Sequence, residues 1–252
     1  MRVTFLGTGT STGVPVIGCR CRVCSSGDPR NQRLRPSILM EWEDRKILVD
    51  SSSDFRQQAL RHGIDRLDAV LYTHCHADHV MGLDDLRIYN FRQRADLPVY
   101  GNPGTLEEIR RTFWYVFSDT QEGGGKPRLD LRPVEGAFEL LGRRVEPVPL
   151  WHGRMPVLGY RIGGFAYCTD CNRIPESSMK ILESLDVLVI DALRHTPHTT
   201  HFCLSETLAA LALLRPRRAY LIHMGHELDH EETERTLPPS IRLAHDGLIL
   251  EI

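Results

Sequence analysis

Just after an apolar run the chain writes "LYTHCHADHVMGLDDLR", packing His74, His76, Asp78 and His79 into six residues. Nothing else in the sequence constrains the fold as tightly. Imidazoles and carboxylates at this density are costly to crowd together without a cation, and they suit zinc, manganese or iron. On an extended segment positions i and i+2 face the same side, so His74 and His76 can reach one ion while Cys75 points away. Asp78 and His79 fall where the chain turns towards a helix, offset enough to serve a second ion.

Three more polar residues sit just past the ends of strand runs: His152 in "VPLWHG", Asp170 in "FAYCTDCN" and His223 in "AYLIHMGH". Singly, each reads as a turn residue. With the first cluster they make five histidines and two aspartates, enough for two four-coordinate ions if one carboxylate bridges.

The runs that deliver them are short, apolar and β-branched: "RVTFLG", "SILMEW", "KILVD", "AVLYTH", "PVYG", "VEPVPLWH", "VLGYRIG", "FAYCTD", "VLVIDA", "AYLIH" and "LILEI". Helical patterns lie between them in "DFRQQALRHG" with its Gly63 stop, "TLEEIRRTFWYVF", "PESSMKILESL" behind Pro175, and "LSETLAALALLRP" with Ser205 as N-cap. Sheets flanked by helices follow. At 252 residues, 41% hydrophobic and 25% charged, the chain can bury a substantial core. No low-complexity linker divides it, so 1–252 reads as a single domain, with "TQEGGGKP" as a surface loop. A net charge of −2 announces no basic nucleic-acid surface. No segment has the apolar length of a membrane span or signal peptide, so the expected location is the cytoplasm.

The run H-x-H-x-D-H, followed by isolated His, Asp and His after successive strands, resembles the metallo-β-lactamase superfamily of binuclear hydrolases. That resemblance implies an α/β (α+β) four-layer αβ/βα sandwich. It also implies that one ion takes His74, His76 and His152, that the other takes Asp78, His79 and His223, and that Asp170 bridges them. Asp50 in "ILVDSSSD" matches the aspartate that braces the ligand loop. Flavodiiron relatives carry Glu where this chain has His76, so hydrolysis is implied over redox work. Two ions about 3.5–4 Å apart can acidify a shared water to a bridging hydroxide and clamp a phosphate. Two divalent charges set against Asp78, Asp170 and hydroxide leave the site net positive, which draws in an anionic diester.

"GVPVIGCRCRVCSSGD" crowds Cys19, Cys21 and Cys24 into six residues, within an insert at about 18–26. Three of seven cysteines so placed suit metal thiolates in a reducing compartment better than disulfides. Three thiolates leave one position of a tetrahedral zinc open, for His226, His230, Cys171 or Cys203. His226 is favoured, because it emerges three residues beyond His223 and can point away from the catalytic ions. A Cys-x-Cys-x-x-Cys insert paired with a late histidine pair is similar to the phosphoribosyl 1,2-cyclic phosphate phosphodiesterase family of the carbon–phosphorus lyase pathway, and "GCRCRVC", "THCHADHVMGL" and "IHMGHELD" carry it here in order. That family implies a histidine in a short loop before a helix that contacts phosphate and assists proton transfer. "TTHFCLSETL" places His201 there, with His195 and His198 as alternatives.

The expectation is therefore a phosphodiesterase acting on a small cyclic or compact phosphodiester, with Asp78 and His201 as catalytic residues. Its cofactors are two catalytic Mn2+ or Zn2+ ions and one structural Zn2+. Its partner is the small substrate, with no membrane, no nucleic acid indicated, and a homodimer compatible with it. The rivals are a tRNA 3′-processing endonuclease, for which "TQEGGGKPR" is a short arm, a pyrroloquinoline quinone pathway B protein, and a non-catalytic metal-binding protein. "GTGTSTG" reads as a backbone turn near the site, Cys168 and Cys171 as packing residues, and Arg87 as either a phosphate contact or a surface ion pair.

Overall fold

Strands that are apolar along their whole length need cover on both faces, and this chain supplies it with four layers. The structure, a computed structural model, describes residues 1–119 and 125–252; the "TQEGG" part of the loop named above lies outside them. Among the described residues one sheet holds β1 (Arg2–Gly7), β2 (Ser37–Trp42), β3 (Arg45–Val49), β4 (Ala69–Leu71), β5 (Leu97–Gly101) and β6 (Leu129–Pro133), with β14 (Ile249–Glu251) returning beside β1. The other holds β7 (Phe138–Leu140), β8 (Arg143–His152), β9 (Met155–Ile162), β10 (Phe165–Cys168), β11 (Val187–Asp191), β12 (Arg218–Ile222) and β13 (Ile241–Leu243), in that order. In each sheet the early pairings are antiparallel and the later ones, β3 through β6 and β10 through β13, are parallel.

The period-2 alternation sorts side chains between layers. Val3, Phe5, Ile38, Met40, Ile47 and Val49 meet Val145, Tyr160, Phe165, Tyr167, Val187 and Val189 between the sheets. The alternate residues Leu6, Leu39, Leu48 and Val70 face outward, under Phe55 of α1 (Phe55–His62), Tyr89 of α3 (Arg87–Gln93), and Leu106 and Ile109 of α4 (Pro103–Thr112). Leu188 and Ile190 are covered from the other side by Leu204, Leu211 and Leu214 of α7 (Leu204–Leu214). The remaining helices are short: α2 (Ala77–Val80), α5 (Trp114–Phe117), α6 (Glu176–Ile181) and α8 (His230–Glu234). This is the αβ/βα sandwich expected from the sequence.

Local details differ from the sequence reading. The "TLEEIRRTFWYVF" helix starts earlier, at Pro103, because Asn102 accepts the Thr105 N–H (2.7 Å), and it breaks at Phe113 into α4 and α5. Helix α7 is capped by Cys203 rather than Ser205: the Glu206 carboxylate accepts the Cys203 N–H at 2.8 Å, which places Ser205 inside the first turn. Strands β6, β7 and β13 carried no readable signal. Two are short and β6 is mostly exposed, so their pairing comes from the neighbouring strand rather than from their own pattern.

"GTGT" follows β1 as a close-packed corner. A Cβ on Gly7 would lie 2.0 Å from the Arg35 carbonyl oxygen, and one on Gly9 would lie 2.8 Å from that of Arg33, so only glycine lets the two segments touch. The corner then runs beside residue 224, with the Met224 N–H donating to Thr8 O (3.0 Å) and the Thr10 N–H to Met224 O (3.1 Å).

Asp246 ties this corner to the last strand. It is half-buried and accepts hydrogen bonds from Thr8 Oγ1 and the Leu34 N–H, both 2.8 Å; desolvation nevertheless pushes its carboxyl up to about 6. A folded-state pKa above the unfolded one means the favourable contribution is complete below about pH 4 and is lost as pH rises through about 6. Asp246→Asn removes the charge, keeps the Leu34 bond on its carbonyl oxygen and turns its amide N–H to the Thr8 hydroxyl, which then accepts. It should raise stability above pH 6 by up to about 3 kcal/mol, read by urea unfolding, with the gain vanishing in acid.

Candidate metal centre

Six strand ends open onto one edge of the sandwich. Asp50 follows β3, the His74–His79 loop follows β4 and leads into α2, His152 ends β8, Asp170 follows β10, Asp191 ends β11 and His223 follows β12. Asp50 (φ 61°), Asp170 (φ 51°) and His223 (φ 62°) have left-handed backbone, uncommon for residues other than glycine. Such a turn costs on the order of 1–3 kcal/mol and persists only where the surroundings over-determine it. Here it swings the side chain off the strand line to the shared edge.

The donors assemble in two groups. Single donor atoms of His74, His76 and His152 lie within 4.8 Å of one another, as do those of Asp78, His79, Asp170 and His223. His79 Nε2 is 3.2 Å from Asp170 Oδ1 and 3.4 Å from Asp78 Oδ2; His223 Nε2 is 3.1 Å from Asp170 Oδ2 and 3.6 Å from Asp78 Oδ2. Asp170 Oδ2 also lies 3.8 Å from His74 Nε2, so this carboxylate touches both groups. Nε2 of His74, His79 and His223 is buried with no hydrogen-bond partner among the described residues. Two donors on one tetrahedral ion at bond lengths of about 2.0–2.1 Å sit about 3.4 Å apart, and the spacings in the second group bracket that value. Orphaned lone pairs that converge at this spacing fit divalent cations.

The ligand rings are held from behind. Asp50 accepts the Thr73 N–H (2.8 Å), the Thr73 hydroxyl (2.8 Å) and His79 Nδ1–H (2.7 Å); Thr200 O accepts His152 Nδ1–H at 2.8 Å. These bonds put the ring protons on Nδ1 and leave Nε2 free to ligate. Burial lowers the pKa of His74 and His152, and desolvation against its neighbours lowers that of His76 at the exposed rim of the group. Burial also opposes charge on His79 and His223, but nearby acids outweigh it: Asp170, Asp50 and Asp78 raise His79 well above the usual range, and Asp170, Asp78 and Asp191 raise His223 to about 10. The carboxylates make this the point in the fold where positive charge is wanted.

His201 stands inside the site. It is buried; its donor lies within 4.8 Å of those of His152 and Asp170, and its ring stacks on His223 at 4.6 Å between centroids. His195 is exposed, while His198, 5.3 Å from His201, lies one position further out and accepts the Thr200 N–H. The residue that sequence reasoning missed is Asp191. Its Oδ2 accepts His201 Nδ1–H at 2.9 Å and the Cys171 N–H at 2.8 Å, and its Oδ1 lies 4.0 Å from His223 Nδ1. The signal was present: "VLVIDA" ends a strand on an acid as "ILVDSS" does. Arg87 takes the surface option, with Nη1 2.6 Å from Asp84 Oδ2.

The cysteines lie apart from these donors. Sγ of Cys19, Cys21 and Cys24 is 3.3, 3.6 and 3.3 Å from His226 Nδ1. One ring nitrogen cannot donate to three sulfurs, whereas sulfur and nitrogen on one tetrahedral zinc sit about 3.5 Å apart. The Cys24 N–H draws the Cys21 thiol down to about 6, while burial pushes Cys24 up to about 11. Of the other candidates, Cys171 and Cys203 are buried in or beside the helix-covered face of the second sheet, and the His230 ring packs against His245.

The profile of the Beta-lactamase superfamily domain matches residues 45–224. A diphosphatase of the PhnP family, known from its crystal structure, is 45% identical and superposes with a TM-score of 0.94 over 100% of this chain and 97% of that one. The chain belongs to the PhnP family of the beta-lactamase superfamily. Its coarse character, a metal-binding hydrolase fold, rests on that membership. The octanoyltransferase of Porphyromonas gingivalis is 42% identical over 98% of this chain but 51% of its own length, so the chain spans about half of that protein. Coenzyme PQQ synthesis protein B of Methylorubrum populi is 31% identical over 76% of this chain and 72% of that one. Among the described residues no helix is long and apolar enough to cross a membrane.

Asp50→Asn places an amide N–H against His79 Nδ1–H and disturbs the tautomer that frees Nε2. Metal affinity of the His/Asp site should fall about 10–100-fold, measured by chelator competition, with circular dichroism unchanged.

Proposed function

We propose that this PhnP-family chain hydrolyses a small, disubstituted phosphate, in first place a cyclic or compact phosphodiester. The observation that carries the reading is the pair of donor groups joined by Asp170, with His201 set against both. His74, His76 and His152 would hold one divalent ion, Asp78, His79 and His223 the other, and Asp170 would bridge. When bound, Mn2+ or Zn2+ ions at these positions supply an acidified water and neutralise phosphate oxygens.

The chain's own residues do the rest. Asp50 and Thr200 fix the protons of His79 and His152 on Nδ1. Asp191 fixes His201 by its Nδ1, which leaves Nε2 on the far side of the ring. From there His201 donates a proton to the leaving oxygen or holds a phosphate oxygen, and Asp191 compensates the imidazolium charge. Asp78 belongs to the ligand set and, as a buried anion between His79 and His223, sets the charge of the reaction centre. Cys19, Cys21, Cys24 and His226 would hold a structural zinc that ties the N-terminal arm to the loop after β12.

A second reading has its own support. The 45% identical relative is a diphosphatase, which places a P–O–P bond beside the P–O–C bond of a diester. Both present a phosphorus with two substituents, and the donor set does not distinguish them.

The test is a substrate panel for the metal-loaded protein: bis(p-nitrophenyl) phosphate, a ribose cyclic phosphate, a nucleoside 2′,3′-cyclic phosphate, a dinucleoside diphosphate and pre-tRNA. Turnover of the small diesters is expected, with none left in His76→Ala or Asp170→Ala. Turnover of the diphosphate alone would favour the second reading, and specific 3′ cleavage of pre-tRNA would overturn both.

His201→Ala should lower kcat about 10²–10⁴-fold while the metal content of the site is retained. A His201→Ala protein that lost its catalytic metals as well would show the residue to be a ligand instead.

A further inference from the structure

Arg33 is among the largest side chains the fold encloses completely, at 1% exposure, and no carboxylate among the described residues pairs with its guanidinium. Burial pulls its pKa down to about 10, which leaves it cationic at neutral pH. Its donors go elsewhere: Nη1 to Gly225 O (2.9 Å), Nη2 to Leu228 O (2.7 Å) and Asn31 Oδ1 (3.2 Å), and Nε to Arg30 O (3.3 Å). Gly225 and Leu228 bracket His226. Asn31 extends the grip, since its Oδ1 accepts the His230 N–H (2.9 Å) and its Nδ2 donates to Asp229 Oδ2 (3.0 Å).

The backbone of the same residue holds the other half of the cysteine cluster. Arg33 pairs both ways with Val14: its N–H donates to Val14 O (2.7 Å), and its carbonyl accepts the Val14 N–H (2.9 Å). Two residues on, the Val16 N–H donates to Cys24 Sγ (3.3 Å) and Val16 O accepts the Cys19 N–H (3.0 Å). The cysteine arm thus hangs from the main chain of residue 33, and the histidine loop from its side chain.

We infer that Arg33 is the positioning residue of the Cys19–Cys21–Cys24–His226 site, a fork that presents His226 to thiols carried on its own backbone pairing. The inference rests on reading those four residues as a zinc site. An arginine is needed because the two carbonyls are reached by different nitrogens of one rigid plane, whereas a lysine is a single point charge. An apolar replacement would orphan the Leu228 carbonyl, leave the Gly225 carbonyl only the long Leu228 N–H contact (3.4 Å), and release the loop. His223 lies two residues before Gly225, so the same grip steadies a residue of the catalytic centre.

The experiment compares zinc-loaded full-length protein with Arg33→Lys, Arg33→Met, Asn31→Ala and Cys21→Ser. Zinc per chain and its affinity are read by chelator competition, and amide exchange over 226–230 by mass spectrometry. Arg33→Met should weaken the thiolate zinc about 10–100-fold and speed exchange in that loop, with Arg33→Lys recovering part of both. Cys21→Ser should lose the same zinc while leaving residue 33 intact. If Arg33→Met is insoluble, the Lys and Ala variants decide by the same two readouts. Wild-type zinc affinity in the Arg33 and Asn31 variants, whatever their melting temperature, would overturn the clamp. Zinc retained in Cys21→Ser would overturn the reading of the cysteines themselves, and the clamp with it.

Discussion

Asp50, Asp78 and Asp170 are buried at one edge of the sandwich, and the rest of the structure is arranged around keeping those charges compensated. A carboxylate taken out of water is tolerated only when paired and hydrogen-bonded. Asp50 accepts three donors from Thr73 and His79, although burial still raises its carboxyl above the usual range. Asp78 and Asp170 depend on imidazoles: burial alone would raise their pKa, and His79 and His223 hold both well below the usual range instead. The imidazoles that do so have no other partner for Nε2. This edge of the fold is therefore stable in proportion to the positive charge placed in it, which is why ligand geometry and fold stability are one problem here.

The sandwich solves it by stiffness. Parallel strands β3, β4, β10, β11 and β12 end at the same edge, buried on both faces, so the corners that follow them have little freedom to relax. Three corner residues in the left-handed region store strain there, and the strands behind them, packed between helices and the opposite sheet, hold it. The thiolate cluster acts on the same edge from outside, through the loop that carries both His223 and His226. A corner built from Gly7 and Gly9 closes against the backbone of residues 33–35, and from there Thr8 and Thr10 share backbone hydrogen bonds with Met224 of that loop.

Much of this was legible. Long runs such as "SILMEW" and "VLVIDA" are buried on both faces and declare themselves by continuous apolarity. The candidate metal donors declare themselves because His74, His76, Asp78 and His79 crowd one loop, and because His152, Asp170 and His223 each end a strand run. Strands β6, β7 and β13 escaped notice because an edge or short strand needs only backbone pairing from its neighbour. Asp191 escaped notice because its task is to orient another residue, and a strand that ends on an acid does not say which side chain that acid will face.

The sequence by itself determined the inventory: which strands exist, which residue types could hold cations, and that sulfur and nitrogen donors fall in separate clusters. Local spacing carries that information because alternation and turn chemistry act over a few residues. Tertiary structure alone decided the pairings. It set His226 against cysteines some two hundred residues earlier, stacked His201 on His223, placed Asp191 behind His201, and buried Arg33 between the arm and the loop it joins. Those relations depend on how two sheets align across a common core, and no window along the chain contains that geometry.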